Sequence, residues 1–269
     1  MITLQFHPDW PYQAGTVIDS MVADGTYRSQ FSTGTSNGGL TAHPGGDRWH
    51  WESRLFAGRY DDAPATSRPV YGAWNRRADP YGGAVRFGSS YVRLRPELLD
   101  RATFCFPDSV YEPSDFGDQR ALSALCALAD ASELGDLDDA VEAHIHGPVR
   151  FTTDVEAVVL DPSFADTPTA TAANQLGCPV EYHPGFQVHA NAIDPTYRGP
   201  HIVTLAKSLG PTDHPSPNRP SSPNHRHPHP TPKTPLALPS PLRPHPTRGQ
   251  IECATSPQIA HTSLVNKGF

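Results

Sequence analysis

Glu142, His144 and His146 fall on alternate positions of the run "AVEAHIHG", and that spacing makes it the most informative stretch of the chain. A β-strand turns successive side chains to opposite faces. The three polar residues would therefore share one face, while Val141, Ala143 and Ile145 share the other as a core face. A carboxylate flanked by imidazoles can be half of a metal site, an acid/base group, or a group that stabilises developing positive charge. The same alternation also describes an ordinary strand with one face in solvent.

A second stretch carries chemistry by composition. "YRSQFSTGTSNGGLTAHPGGDRWHWE", Tyr27 to Glu52, holds hardly an aliphatic side chain. Irregular segments of that length inside a compact domain are usually disordered or part of a site, and the wealth of hydroxyls, glycines and donors favours a site. His7, Asp9, His43 and His50 add further metal-ligand types to His144 and His146. Their spacing matches no recognised metal signature, and no "HEXXH", P-loop, "GXSXG" or "GXGXXG" element occurs. Cys105, Cys126, Cys178 and Cys253 are too far apart for a zinc-type pairing and read as buried thiols.

Positioning these residues requires alternating elements. "ITLQF" reads as a strand. "AGTVIDSMVADG" places Val17, Ile18, Met21 and Val22 on one helical stripe that stops at Gly25. "GGDRWHWESRLFAG" reads as a second helix with Asp47 as N-cap, Trp51, Leu55 and Phe56 on its inner side, and Gly58 ending it. "RPVYGAW", "VRFGSSYVRLR", "TFCF", "AVEAHIHG" and "DVEAVVLD" read as short strands, with "GDQRALSALCALADA" and "PSFADTPTATAANQLG" as helical interludes. The expected fold class is α+β, a single domain of short mixed strands with several helices over residues 1–210.

Residues 211–269 differ in character. Pro recurs every two to four residues as far as Arg248 among Ser, His, Thr and Asn, and Phe269 is the sole aromatic. Such a segment buries too little apolar surface to offset its ordering entropy, so a disordered Pro-rich tail is expected. The tail holds six basic against two acidic side chains, so the overall charge of −7 leaves the body near −11. An acidic body carries no footprint for duplex nucleic acid. No window approaches the length of a membrane span, and the N-terminus has no basic region followed by an apolar run. A cytoplasmic location is expected, with effector-type export left open.

The strings "ITLQFHPD", "DGTYRSQFSTGTSNGGLTAHPGGDRWHWESRLFAG", "RPVYGAWN", "RFGSSYVRLRPELLDRATF", "VEAHIHGPV" and "DVEAVVLDPSF" resemble the bacterial domain-of-unknown-function family 3626 across roughly residues 2 to 205. The order of elements is also similar to that of NAD-dependent ADP-ribosyltransferases. Those enzymes have an early strand with His or Arg, a helix, a Ser/Thr- or Gly-rich loop, a strand with Tyr, and a late strand with the catalytic Glu. The resemblance implies an ADP-ribosyltransferase-like fold, Glu142 as the catalytic carboxylate, and NAD as substrate with no metal. It also implies that His7, Arg28, Thr35, Ser36 and Asn37 bind the dinucleotide, with Tyr71 stacking on nicotinamide and Asn75 orienting it. The acceptor, protein or small molecule, is not specified. One departure is visible: the family commonly places Gln or Glu two residues before the catalytic Glu, whereas Ala140 stands there and His144 lies two residues after. The competing readings are a metal-dependent hydrolase built on the His/Glu cluster and a non-catalytic interaction domain that uses the tail.

Overall fold

The strand Ile2–Phe6 is buried over its whole length, which already says that it runs through the middle of a sheet covered on both sides. A computed structural model describes residues 1–34, 41–186 and 192–209 of the chain. Within the compact unit Met1–Gly210, eight strands form one sheet. In chain order they are β1 (Ile2–Phe6), β2 (Val70–Trp74), β3 (Ser90–Leu94), β4 (Ala102–Phe106), β5 (Asp115–Gly117), β6 (Val141–Ile145), β7 (Val155–Leu160) and β8 (Val180–Tyr182). Their spatial order is β8-β7-β3-β1-β2-β6-β4-β5, and every neighbouring pair is antiparallel except the parallel β7–β8 edge. The fold is therefore α+β around one large sheet. The expected tail, 211–269, lies outside the described residues.

The two faces of this sheet are built differently. Ile2, Leu4 and Phe6 of β1, Val70 of β2, Phe104 of β4, and Val141, Ala143 and Ile145 of β6 point into one apolar core. Helix α1 (Val17–Asp24) adds Ile18 and Met21 to it. Two later helices, α4 (Leu122–Ala131) and α5 (Pro168–Ala173), add Leu125, Ala129, Ala170 and Ala173. The local signals for α1 are those expected. Thr16 and Asp19 form a capping box at its start, and Gly25 ends it at φ 63°, a left-handed conformation that glycine adopts without a Cβ penalty. Gly72 serves another purpose, because a Cβ there would come within 2.5 Å of the Leu4 side chain and of the Thr3 carbonyl.

The opposite face is polar. Thr3, Gln5, Tyr71, Tyr91, Thr103, Cys105, Glu142 and His144 line it by register. Over β1 the loop after β2 covers it, where Gly83 N–H donates to Thr3 Oγ1 at 2.9 Å and Gln5 donates to the Tyr81 carbonyl at 3.0 Å. Over β2, β6 and β4 the cover is helix α3 (Asp47–Leu55), preceded in the chain by the single turn α2 (Gln30–Thr33). The long polar stretch is thus partly helical. It also includes Tyr27, which pairs with Val149.

Two details of α3 differ from expectation. Gly46 is its N-cap and Asp47 its first residue. Its inner stripe is Arg48, Glu52 and Phe56, all buried, whereas Trp51 and Leu55 are half-buried. The reason is the surface it packs on: a polar sheet face selects the charged stripe at i, i+4 and i+8 over the apolar one. Strands β5 and β8 were not legible from alternation, being three residues long each.

Candidate functional site

Strand β6 lies between β2 and β4, and its register brings distant residues together. Glu142 stands opposite Cys105 on one side and Ala73 on the other, while His144 stands opposite Thr103 and Tyr71. Directly opposed residues of an antiparallel pair share a face. Phe56, which caps the C-terminal end of α3, closes over them, with its ring 5.2 Å from the rings of both His144 and His146 and 6.0 Å from Phe116 of β5. Far from facing solvent, Glu142 is 8 % exposed and His144 fully buried.

Hydrogen bonds bind the cluster into one chain. Glu142 Oε1 is 2.7 Å from His144 Nε2, and Ser109 Oγ donates to Glu142 Oε2 at 3.2 Å. With His144 Nε2–H donating, its Nδ1 accepts from the Thr103 hydroxyl at 3.3 Å. That hydroxyl has one proton, so it accepts from His146 Nε2–H at 2.9 Å, and His146 Nδ1 accepts from Tyr60 O–H at 2.7 Å. The tautomers are assigned from these partners. The titration of His146 agrees, because burial, and after it the nearby charges of Arg59 and Arg101, lower it to about 4, leaving it neutral at pH 7. Burial works against charge on Glu142, but the hydrogen bond from His144, the charges near it including Arg48, and the Ser109 hydroxyl outweigh it. Its carboxyl is held below its ordinary value. The site thus presents an ionised carboxylate at neutral pH.

Two neighbours complete this half. Burial and the adjacent Glu142 push the Cys105 thiol far up, so it stays protonated. Asp108 caps the turn Ser109–Tyr111, accepting from Val110 N–H at 3.0 Å, and burial followed by the Glu142 charge raises it to about 6. Cys105 Sγ lies 3.8 Å from Glu142 Oε1 and 4.0 Å from His144 Nε2. These three side chains are a donor set whose ligand atoms lie within 4.8 Å of one another.

The other half is an ion pair with a tyrosine. Glu52, fully buried, accepts from Arg68 Nη1 at 2.7 Å and from the Tyr71 hydroxyl at 3.1 Å. Burial raises the Glu52 carboxyl against the opposing pull of Arg68, Tyr71 and Arg48. Burial, Glu52 and Glu142 together push Tyr71 well up, so it remains a phenol and a donor. The Arg48 guanidinium lies over the Tyr71 ring at 4.5 Å, and the Tyr71 and His144 rings meet edge to face at 5.0 Å, which joins the two halves.

Of the residues expected in a site, Glu142 and Tyr71 converge. Three others have separate occupations. His7 is half-buried with its ring 6.4 Å from Trp10, and burial lowers its pKa against the pull of Asp9. Arg28 pairs with Asp24 on α1 at an exposed position. Asn75 is buried, but its side chain closes a turn, donating to the Asp79 carbonyl at 2.7 Å and accepting from Asp79 N–H at 2.8 Å. Among the described residues, none of the three touches the cluster. Thr35, Ser36 and Asn37 lie outside the described residues. Sequence reasoning missed Arg48, Glu52, Arg68, Thr103, Ser109 and Asp108. The i, i+4 pair Arg48/Glu52 with Phe56 at i+8 was the one local sign.

Fold and site together define an α+β domain with an ionised carboxylate buried on the polar face of a mixed sheet. The chain belongs to the family described as protein of unknown function, DUF3626, which matches residues 1–132 and 119–215, as the quoted motifs implied. A comparison with curated proteins finds no match. Among the described residues no helix is long and apolar enough to cross a membrane.

Proposed function

We propose that this domain is an NAD-dependent ADP-ribosyltransferase-like enzyme in which Glu142 is the catalytic carboxylate, acting toward a protein or small-molecule acceptor. One observation carries the reading: an ionised, nearly dry carboxylate on β6 shares a site with Tyr71 on the adjacent strand β2. The order of elements, with a helix and the polar stretch between the first strand and the Tyr strand and the Glu strand late, supports an ADP-ribosyltransferase-like arrangement.

The chemistry suits these residues. Breaking the bond between nicotinamide and ribose sends the electron pair to the pyridinium nitrogen and leaves positive charge on the ribose carbon. A fixed carboxylate in a water-poor site stabilises that charge without reorganising. His144 and Ser109 hold both Glu142 oxygens, so the charge is aimed before substrate arrives. Arg48 occupies one face of Tyr71, so nicotinamide would stack on the other. Thr35, Ser36 and Asn37 would contribute donors to the diphosphate and ribose.

A second reading has its own observation, the donor set Cys105, Glu142 and His144. Two ligands of one tetrahedral zinc stand about 3.3 Å apart at ordinary bond lengths. Glu142 and His144 are 2.7 Å apart, the separation of a hydrogen bond. Incubation of the purified full chain with millimolar NAD separates the readings. The transferase reading expects nicotinamide release that a chelator leaves unchanged. No release and no binding contradict it, and a stoichiometric ion lost on Cys105→Ser or His144→Ala establishes the metal site instead.

A further inference from the structure

Arg48 is a buried cation with two donor nitrogens that no other described residue uses. It lies on the inner face of α3 and is 8 % exposed. Its guanidinium rests over Tyr71 at 4.5 Å and beside Trp51 at 5.3 Å. Aromatic faces hold a planar cation by its π surface and leave its N–H edge available. Two donors are unfilled: Nε and Nη1, which lie on different edges of the guanidinium, are both buried without a hydrogen-bond partner among the described residues. The nearby acids do not fill these donors with hydrogen bonds. Both Glu52 oxygens are taken by Arg68 and Tyr71, and both Glu142 oxygens by His144 and Ser109. Buried polar groups left without partners are rare in native proteins and call for a specific explanation. An oxyanion offers two acceptor oxygens in one plane, the geometry that a guanidinium fork matches and a lysine does not.

We propose that Arg48 is an oxyanion-binding fork that receives phosphate oxygens of the dinucleotide's diphosphate beside Glu142. The identity of the ligand rests on the NAD reading, and the fork itself on the unfilled donors. The signs of charge select the class. Glu142 is a carboxylate kept ionised, in part by the Arg48 charge, and suits a centre that becomes positive. Arg48 is positive and rests on Tyr71, which hydrogen-bonds Glu52 and meets His144, so it belongs to the same polar cluster. A ligand with a cationic ring at one end of a ribose and a diphosphate at the other satisfies both signs, whereas a ligand of one sign satisfies one. Binding is non-covalent, and no bond is made or broken at Arg48.

The test is calorimetric titration of the full chain with inorganic pyrophosphate and, separately, with NAD, in wild type, R48K and R48Q. Wild type is expected to bind both. R48Q should weaken both by about tenfold or more, and R48K, which keeps a point charge but loses the fork, should fall between. Unliganded R48Q should keep a cooperative thermal transition and the circular dichroism spectrum of wild type, and this separates lost binding from lost fold. If R48Q does not fold, R48K decides alone, and an unchanged affinity for pyrophosphate overturns the fork. Equal affinities in all three proteins overturn it too, as does a wild type that fails to bind pyrophosphate at millimolar concentration. The two proposals fail separately. Pyrophosphate bound through Arg48 without nicotinamide release from NAD keeps the fork and refutes the transferase reading. Nicotinamide release with wild-type KM in both variants keeps the transferase reading and refutes the fork.

Discussion

The two faces of β6 are equally buried and solve burial in opposite ways. Val141, Ala143 and Ile145 pack into the apolar core, where shape and volume govern. Glu142 and His144 on the other side meet Ser109, Thr103, Tyr71 and Cys105, where every polar atom must find a partner or cost stability. The first face specifies the fold. The second spends burial on holding a carboxylate charged, which a folding requirement alone does not explain.

Breaking one partner on each side sharpens the contrast. Arg68→Met would leave Glu52 buried without its cation and should cost about 3–5 kcal/mol in denaturant unfolding. Ile145→Ala should cost about 2–5 kcal/mol by opening a cavity on the apolar face. A loss below 1 kcal/mol for Arg68→Met, of the order expected for surface pairs, would mean that the polar face is wetter than the structure shows.

A smaller and pH-dependent effect separates the faces again, because only the polar face titrates. His146 falls from 6.5 to about 4 on folding, so its contribution to stability is present above pH 6.5 and lost as the pH falls toward 4. Asp108 rises from 3.8 to about 6, so its contribution is present below pH 3.8 and lost as the pH rises through 6. The two oppose each other across nearly one window, each worth about 1–2 kcal/mol after allowance for partial solvent access. Wild-type stability should therefore be nearly flat between pH 4 and 6 as far as this pair is concerned. His146→Gln should gain stability on acidification relative to wild type, and Asp108→Asn should lose it. Parallel curves for the three proteins would show that neither group is perturbed by the site.

Much of this was legible where the pattern was local. The alternation at 141–146 separated the two faces of β6 correctly, and the stripe at Val17, Ile18, Met21 and Val22 with Gly25 after it defined α1. What alternation did not convey was that the polar side is also covered. That depends on α3 turning Arg48 and Glu52 inward, against the usual expectation that a charged stripe faces water. Cys105 and Thr103 enter by strand pairing, and Arg68 by an ion pair from the bend before β2 to α3, across 16 to 41 residues of sequence, with no local signature. His7, Arg28 and Asn75 illustrate the converse. Their types suited a ligand site, but Arg28 and Asn75 were committed by nearest neighbours, Asp24 and Asp79, to short-range pairs.

The central claim is that Glu142 is buried for chemistry and not for folding. Glu142→Gln keeps the size and a hydrogen-bond acceptor for His144 but removes the charge opposite the developing positive centre. The rate of nicotinamide release from NAD should fall by roughly a hundredfold or more while the thermal midpoint stays close to that of wild type. A variant that releases nicotinamide at the wild-type rate, or a wild-type protein that neither binds nor cleaves NAD at millimolar concentration, contradicts the account.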